Sequence, residues 1–430
     1  MFRPQSYEKK IIFPNIFCIS FCIYQKKVVS LHLKSQIANH KSQITNHMTP
    51  ISKLGEFGLI RHLTADLNNC QPSTLYAVGD DAAVLNHEGK RTLVTTDLLL
   101  EGIHFNLEYV PLRHLGYKAV AVNVSDICAM NATPTQITVG LGISSRFMVE
   151  DIEEFYAGVR AACEHYHIDL VGGDTCASMN GLTIAITCLG VADEKDIVYR
   201  KGAKPNDLIC VTGNLGSAYL GLQLLERELQ VFRSTQHDNL AKASEHSDAI
   251  HEKFEGREYL LERQLKPEAR LDIVQALRKA GIKPTAMMDV SDGLSSELFH
   301  ICTQSKVGCD IYEDKLPIDY QAAALAEEMN LNIVTCALNG GEDYELLFTC
   351  DIHDYEKLVP LDDVYIIGHI TAPEYAPVDV ESCSCSEAGS LDVEAGGAAA
   401  KDAQQPVNLR LIPRNGNPIP LTAQGWNAFV

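Results

Sequence analysis

Positive charge is scarce in this sequence. Its 36 lysines and arginines face 56 aspartates and glutamates, a formal net charge of −20. No basic surplus is available to neutralise a phosphodiester backbone, which argues against nucleic acid as a main partner. A membrane-length apolar run is also missing. The stretch Ile11 to Tyr24 follows Lys9-Lys10 but is too short for a span, and it runs into Lys26-Lys27 without a small-residue cleavage site. No Cys-x-x-Cys is answered by a second such pair, so a structural zinc site has no frame. The 14 cysteines are scattered, mostly in apolar stretches, as reduced buried thiols of a cytoplasmic protein would be. Neither a Walker loop nor the His-Arg-Asp set of protein kinases occurs.

What remains is a chain of 430 residues, 46% hydrophobic, long enough for two domains with real cores. Residues 1–47 stand apart, with seven basic residues against one acidic and a near-repeat, Lys34 to His40 and Lys41 to His47. They read as a non-native or disordered extension, with Met48 as the true start. From there the pattern predicts helices over 51–67, 112–130 and 149–165 and strands over 76–85, 92–96, 136–143 and 182–191. That is a sheet with helices on one face. Residues 200–207, with Gly202 and Pro205, read as a linker. Strands are expected over 208–211, 286–290, 307–312, 345–350 and 364–370. Helices over 217–229, 269–280, 294–303, 319–330 and 354–359 alternate with them. Two segments read as insertions: polar 230–258, and low-complexity 379–406, rich in Ala, Gly and Ser. The organisation expected is a first domain over 48–198 and a second over 199–430.

Acidic turns recur against this background. In Gly79-Asp80-Asp81 the adjacent carboxylates repel unless water or a cation separates them; alone it reads as a solvated hairpin. Thr95-Thr96-Asp97 places hydroxyls beside a carboxylate, a hard-oxygen set, though both threonines also suit a strand. His104, between Ile103 and Phe105, suits a core or a loop as well as a site. Asn123 and Asp126 share a face of an apolar helix, where an unpaired carboxylate is costly. Gly172-Gly173-Asp174-Thr175 reads as a glycine turn that lets backbone approach a ligand. Met288-Asp289-Val290-Ser291-Asp292-Gly293 reads as strand, turn and helix start, able to hold a cation and aim N–H groups at a phosphate. Gly340-Gly341-Glu342-Asp343-Tyr344-Glu345 is a further acidic turn, with Glu345 expected on the outer face of a strand. Hard carboxylates and hydroxyls without spaced His or Cys select magnesium over zinc. The residues thus predict a site of several Mg²⁺ ions for a phosphorylated ligand such as ATP.

These stretches, in this order, resemble the thiamine-monophosphate kinases of the aminoimidazole-ribonucleotide-synthetase-like ATP-binding superfamily. The resemblance extends through RKGAKPNDLICVTG and the tail QGWNAF, covering most of the chain from Met48. It implies an α+β, two-domain PurM-like fold and a homodimer in which the N-terminal sheets pair. It implies Mg²⁺ ligation by Asp80, Thr95, Thr96, Asp97, Asp126, Asp174, Asp289 and Asp292. ATP contacts would come from Tyr156, Gly173, Asp174, Arg200 and Ser291, and thiamine monophosphate contacts from His104, Glu342 and Trp426. The implied reaction needs no general base, because the attacking phosphate oxygen is already anionic.

Two other readings compete. A sister enzyme of the superfamily, such as a selenophosphate synthetase, would want a reactive cysteine in a glycine-rich N-terminal loop, and Cys70 has none. A non-catalytic nucleotide-binding protein would need fewer acidic ligands.

Overall fold

The helix Leu112–Ala129 (α1) is apolar on nearly every side, and the fold is built around it. In the computed structural model, residues 74–76, 80–81, 83–87, 89–236, 254–373 and 408–422 are described. All lie in one compact unit, Leu67–Trp426; the other unit, Met1–Asp66 with Asn427–Val430, lies outside them. The expectations for 1–47, the helix at 51–67, the 379–406 insertion and Trp426 therefore fall outside the described residues.

The first sheet has six strands: Thr74–Tyr76 (β1), Ala83–His87 (β2), Lys90–Leu100 (β3), Thr133–Ile143 (β4), Asp169–Ala177 (β5) and Leu182–Ala192 (β6). Their order is β1-β2-β3-β6-β4-β5, antiparallel except for the β4–β5 pair. The strand expected over 76–85 is thus two strands, with Asp80 and Asp81 between them. The glycine turn expected around Gly173 is also corrected, because those residues form β5, an exposed edge strand. A Cβ on Gly173 would stand 1.9 Å from the Val139 carbonyl oxygen, so the glycine is there for close strand approach.

Alternation along β6 sends Leu182, Ile184, Ile186 and Cys188 to the core. Against that face pack α1 and Val149–Tyr166 (α2), whose buried Phe155 and Val159 meet α1. The close helix pair depends on Gly116 and Gly158, where any Cβ would strike the opposite backbone within about 2 Å. The sheet's other face carries Leu98, 54% exposed, together with Leu100, Thr96 and Thr187.

The second sheet is formed by Leu208–Thr212 (β7), Ala286–Asp289 (β8), Gly308–Tyr312 (β9), Leu346–Cys350 (β10), Val364–Thr371 (β11), Leu409–Ile412 (β12) and Ile419–Pro420 (β13). Its order is β13-β12-β9-β11-β7-β10-β8, antiparallel except β12–β9. Its helices are Ser217–Gln236 (α3), Glu258–Leu265 (α4), Leu271–Lys279 (α5), Leu294–Ser305 (α6), Tyr320–Glu328 (α7), Ile333–Asn339 (α8) and Tyr355–Leu358 (α9). Helix α3 runs into the segment read as an insertion, and α4, α8, β12 and β13 were not anticipated. The expected linker, 200–207, is irregular and closes in a turn where Lys204 N–H donates to Asp207 at 2.9 Å.

Cys210, Met287 and Phe348 on one face of this sheet join the core of α1 and the first sheet. Ile209, Val211, Met288 and Leu347 on the other face build a second core with α6 and α8. Helix α1 is therefore packed between the two sheets, touching β3 and β6 on one side and β8 on the other. The α+β architecture with two sheets agrees with expectation, but the two parts share a core. The nine described cysteines are all unpaired, and seven are buried. Among the described residues no helix is long and apolar enough to cross a membrane.

Candidate functional site

Strand β8 ends on Asp289, 3% exposed, and the chain turns through Val290 to Gly293 into α6. Glycine is needed at the end of this turn: Gly293 has φ 120°, and a Cβ there would lie 3.0 Å from the Asn339 backbone. The turn is held from both sides. Glu297, in α6, accepts from the N–H groups of Ser291 at 3.0 Å and Asp292 at 2.7 Å. The 340–345 loop lies against it, with Glu342 N–H donating to Ser291 O at 2.8 Å and Tyr344 N–H to Val290 O at 2.9 Å.

Helix α1 brings Asp126 and Ser125 to this turn. Ser125 Oγ donates to Asp289 Oδ2 at 2.5 Å. Thr95 Oγ1, on β3, donates to Asp126 Oδ2 at 2.5 Å. Asp97, two residues on and so on the same strand face, has its N–H on Asn123 Oδ1 at 3.1 Å. Asp81 completes the group: one carboxylate oxygen from each of Asp81, Asp126 and Asp289 lies within 4.8 Å of the others. The second oxygen of Asp81, Oδ2, is buried without a hydrogen-bond partner.

Removal from water raises these acids, and mutual repulsion raises them further. Burial, then the charge of Asp81, pushes Asp289 up to about 7. Burial, then Asp97, Asp289 and Asp81, drives Asp126 well above the usual carboxylate range. Asp80 is pushed up to about 7 by burial and by Asp81. Carboxylates this close must share protons or a cation. The all-oxygen donor set and the orphaned Asp81 oxygen fit a hard divalent cation.

The structure sorts the expected residues. Asp80, Thr95, Asp97, Asp126 and Asp289 lie at or beside the cluster. Asp80 spends its carboxylate on the Arg200 N–H, at 3.1 Å, and leaves the cluster to Asp81. The guanidinium of Arg200 is bound to Asp81, with Nε at 3.1 Å from Oδ1. Ser291 and Asp292 occupy the turn. Thr96 points to the sheet's opposite face, donating to Ile186 O at 3.0 Å and accepting from Thr187. Gly173 and Asp174 sit on exposed β5, where Asp174 Oδ1 accepts from the Thr175 N–H at 2.9 Å. His104 Nδ1 accepts from the Leu100 N–H at 3.1 Å, closing its own turn. Tyr156 lies along a surface groove with Phe147, Ile152 and Arg160.

Glu342 stays open, with 31% of its side chain accessible, and is held by Lys118 and Gln264. Its neighbours in the loop are structural. Asp343, 1% exposed, accepts from Gly216 N–H at 2.7 Å and Ala218 N–H at 3.2 Å at the start of α3; burial pushes it up to about 6. Glu345 is not on an outer face but 1% exposed, bound to Thr212 at 2.6 Å, Arg270 at 2.7 Å and Arg263 at 2.9 Å. Buried Arg270 and mostly buried Arg263 require that carboxylate inside.

Sequence reading missed Asp81, Ser125, Lys118, Tyr344 and Glu297. Asp81, Ser125 and Tyr344 sit beside or near a residue that was singled out, and chain position cannot say which of two neighbours faces a site; Lys118 and Glu297 carry no such signal. Burial raises the Tyr344 hydroxyl, and the charges of Glu342, Asp97, Asp289 and Asp292 raise it further.

The family model for AIR synthase related protein, N-terminal domain, matches residues 79–192. The thiamine-monophosphate kinase of Aquifex aeolicus (strain VF5) is 35% identical over 329 residues, covering 76% of this chain and 95% of the relative. That of Bacillus subtilis (strain 168) is 34% identical over 312 residues, covering 71% and 86%. The solved structure of AaThiL complexed with AMPPCP and TMP superposes with a TM-score of 0.63 at 33% identity, covering 76% of this chain and 94% of that one.

Proposed function

The chain belongs to the thiamine-monophosphate kinase family, and on that premise we propose that it phosphorylates thiamine monophosphate with ATP, giving thiamine diphosphate and ADP. A relative held with AMPPCP and TMP supports both substrates. The observation that carries the reading is the convergence of Asp81, Asp126 and Asp289, drawn from the edge of the first sheet, from α1 and from β8.

In the reaction an anionic oxygen of the acceptor phosphate attacks the γ-phosphorus of ATP. A new P–O bond forms, the bond to the β-phosphate oxygen breaks, and ADP leaves. No proton has to be removed, so the residues' work is positioning and electrostatics. Asp81, Asp126 and Asp289, with Asp97, Asp292 and the Thr95 hydroxyl beside them, would hold several Mg²⁺ ions. Bound there, Mg²⁺ supplies charge neutralisation between two phosphates that otherwise repel. Thr95 and Ser125 fix one oxygen each on Asp126 and Asp289, leaving the others to face the site. Arg200 restrains Asp81. The 340–345 loop holds the turn from which Ser291 would meet nucleotide, and Glu342 would meet thiamine monophosphate. His104, Tyr156, Gly173, Asp174 and Trp426 remain proposed contacts on the resemblance alone.

We also propose the homodimer, formed by the first sheet's open face: Leu98 and Leu100 are exposed on a surface that a second copy would cover. Residues 48–198 and 199–430 would act as the two domains, and unpaired cysteines suit a cytoplasmic setting.

The test is incubation of the full chain with ATP, Mg²⁺ and thiamine monophosphate, following thiamine diphosphate. The reading predicts stoichiometric ADP and thiamine diphosphate. ADP formed only with unphosphorylated thiamine would show the substrate to be wrong.

A further inference from the structure

Glu342 is the accessible acid of its loop, yet both of its oxygens are engaged. Lys118, on α1, places Nζ 3.2 Å from Oε1. Gln264, on α4, donates Nε2 to Oε2 at 2.7 Å. Lys118 is itself only 6% exposed, and its one other described partner is the Gln264 carbonyl oxygen at 3.0 Å. Burying an ammonium is costly unless it is paired, so the Lys118–Glu342 contact fixes the direction of that carboxylate. Lys118 and Ser125 are seven residues apart and share a face of α1. Ser125 holds Asp289 and Lys118 holds Glu342, so one helix face aligns an acid of the metal cluster with the loop acid. Glu342 N–H donates to Ser291 O at 2.8 Å, which sets the loop against the turn that follows Asp289.

We propose that Lys118 is a positioning residue for the acceptor substrate. It holds the Glu342 carboxylate in place, with its remaining lone pairs left to accept N–H groups from a cationic heteroaromatic molecule. This rests on the reading of the chain as a thiamine monophosphate kinase. The aminopyrimidine and the positive thiazolium of that substrate are what such a carboxylate would select; ATP offers no positive ring. Lys118 thus acts on one substrate and not the other.

The experiment is initial-rate kinetics on wild type, K118M, K118R, E342Q and the K118M/E342Q double variant, varying each substrate in turn, with thermal melting alongside. A charge-assisted contact predicts that K118M raises KM for thiamine monophosphate about tenfold or more while KM for ATP stays put. K118R should recover most of the loss, and K118M should add nothing to E342Q, because the lysine works through that carboxylate. The proposal is overturned if K118M leaves KM for thiamine monophosphate unchanged, if both KM values rise together with a fall in melting temperature, or if the two substitutions multiply. Should K118M fail to fold, Q264M removes the other clamp and is compared with E342Q in the same way. Wild type inactive on thiamine monophosphate would sink the kinase reading and this inference together. Wild type active with multiplying substitutions sinks only this inference.

Discussion

Ser125 Oγ and Asp289 Oδ2 meet at 2.5 Å across 164 residues of sequence. The contact joins the helix of the first sheet to the terminal strand of the second, inside a region from which water is excluded. Replacing Ser125 with alanine strands an oxygen of a buried carboxylate, at a cost of about 1–3 kcal/mol. We expect S125A to melt several degrees lower by calorimetry and to need more Mg²⁺ for half-maximal activity. A variant indistinguishable from wild type on both counts would show that the contact is incidental.

Asp126→Asn should separate stability from catalysis. It removes one charge from a group of mutually repelling acids, so the metal-free protein should melt no lower than wild type. Losing a ligand should cost about 10²–10³-fold in kcat, the scale of other preorganised electrostatic groups. Asp81→Asn should lose activity alike but melt lower, because it breaks the ion pair with the Arg200 guanidinium. Asp80→Asn should chiefly destabilise, because Asp80 holds the Arg200 backbone. Retained activity in D126N would remove Asp126 from the metal set.

The pH dependence follows from the same repulsion. Asp289 keeps its proton to about 7 in the folded chain but only to about 4 when unfolded. Between those values the folded state binds more protons, so stability of the metal-free protein falls as pH rises through this window. A divalent cation replaces those protons. We expect EDTA-treated protein to melt lower at about pH 8 than at about pH 5.5, and added Mg²⁺ to raise the melting temperature more at the higher pH. An equal Mg²⁺ effect at both would contradict the cluster as its binding place.

Leu98 lies on the open face of the first sheet, away from the carboxylates. Leu98→Asp should shift the mass measured by light scattering from dimer to monomer at micromolar concentration, since a charge on an apolar interface is left unpaired. A dimer that persists in L98D would place the interface elsewhere.

Much of the site was legible because its chemistry needs contiguous residues. Strand, acidic turn and helix start around Asp289 to Gly293 can be read from apolar run, carboxylates and glycine. Asp126 stood out as a carboxylate on a helix with no polar face. Legibility ended where two neighbours carry the same chemistry. Asp80 and Asp81 are equivalent in sequence, yet one caps the Arg200 backbone and the other enters the cluster. Thr95 and Thr96 must point to opposite faces of β3, and only the position of α1 says which face holds the site. Glu345 looked solvent-facing because Arg263 and Arg270, which hold it inside, lie more than 70 residues away. Gly173 looked like a turn because the parallel partner that demands a glycine there, β4, lies across the intervening helix α2.

Local pattern and residue identity were enough for most of the long helices and core strands, for the oxygen-only donor chemistry and for the family, since these need no knowledge of chain crossing. Tertiary structure alone decided which carboxylates converge, because convergence depends on α1 being packed between two sheets. It also decided that Lys118 and Ser125, on one face of α1, hold Glu342 and Asp289. Charge pairs of this kind arise from chain crossing in space, and no spacing along the chain encodes them.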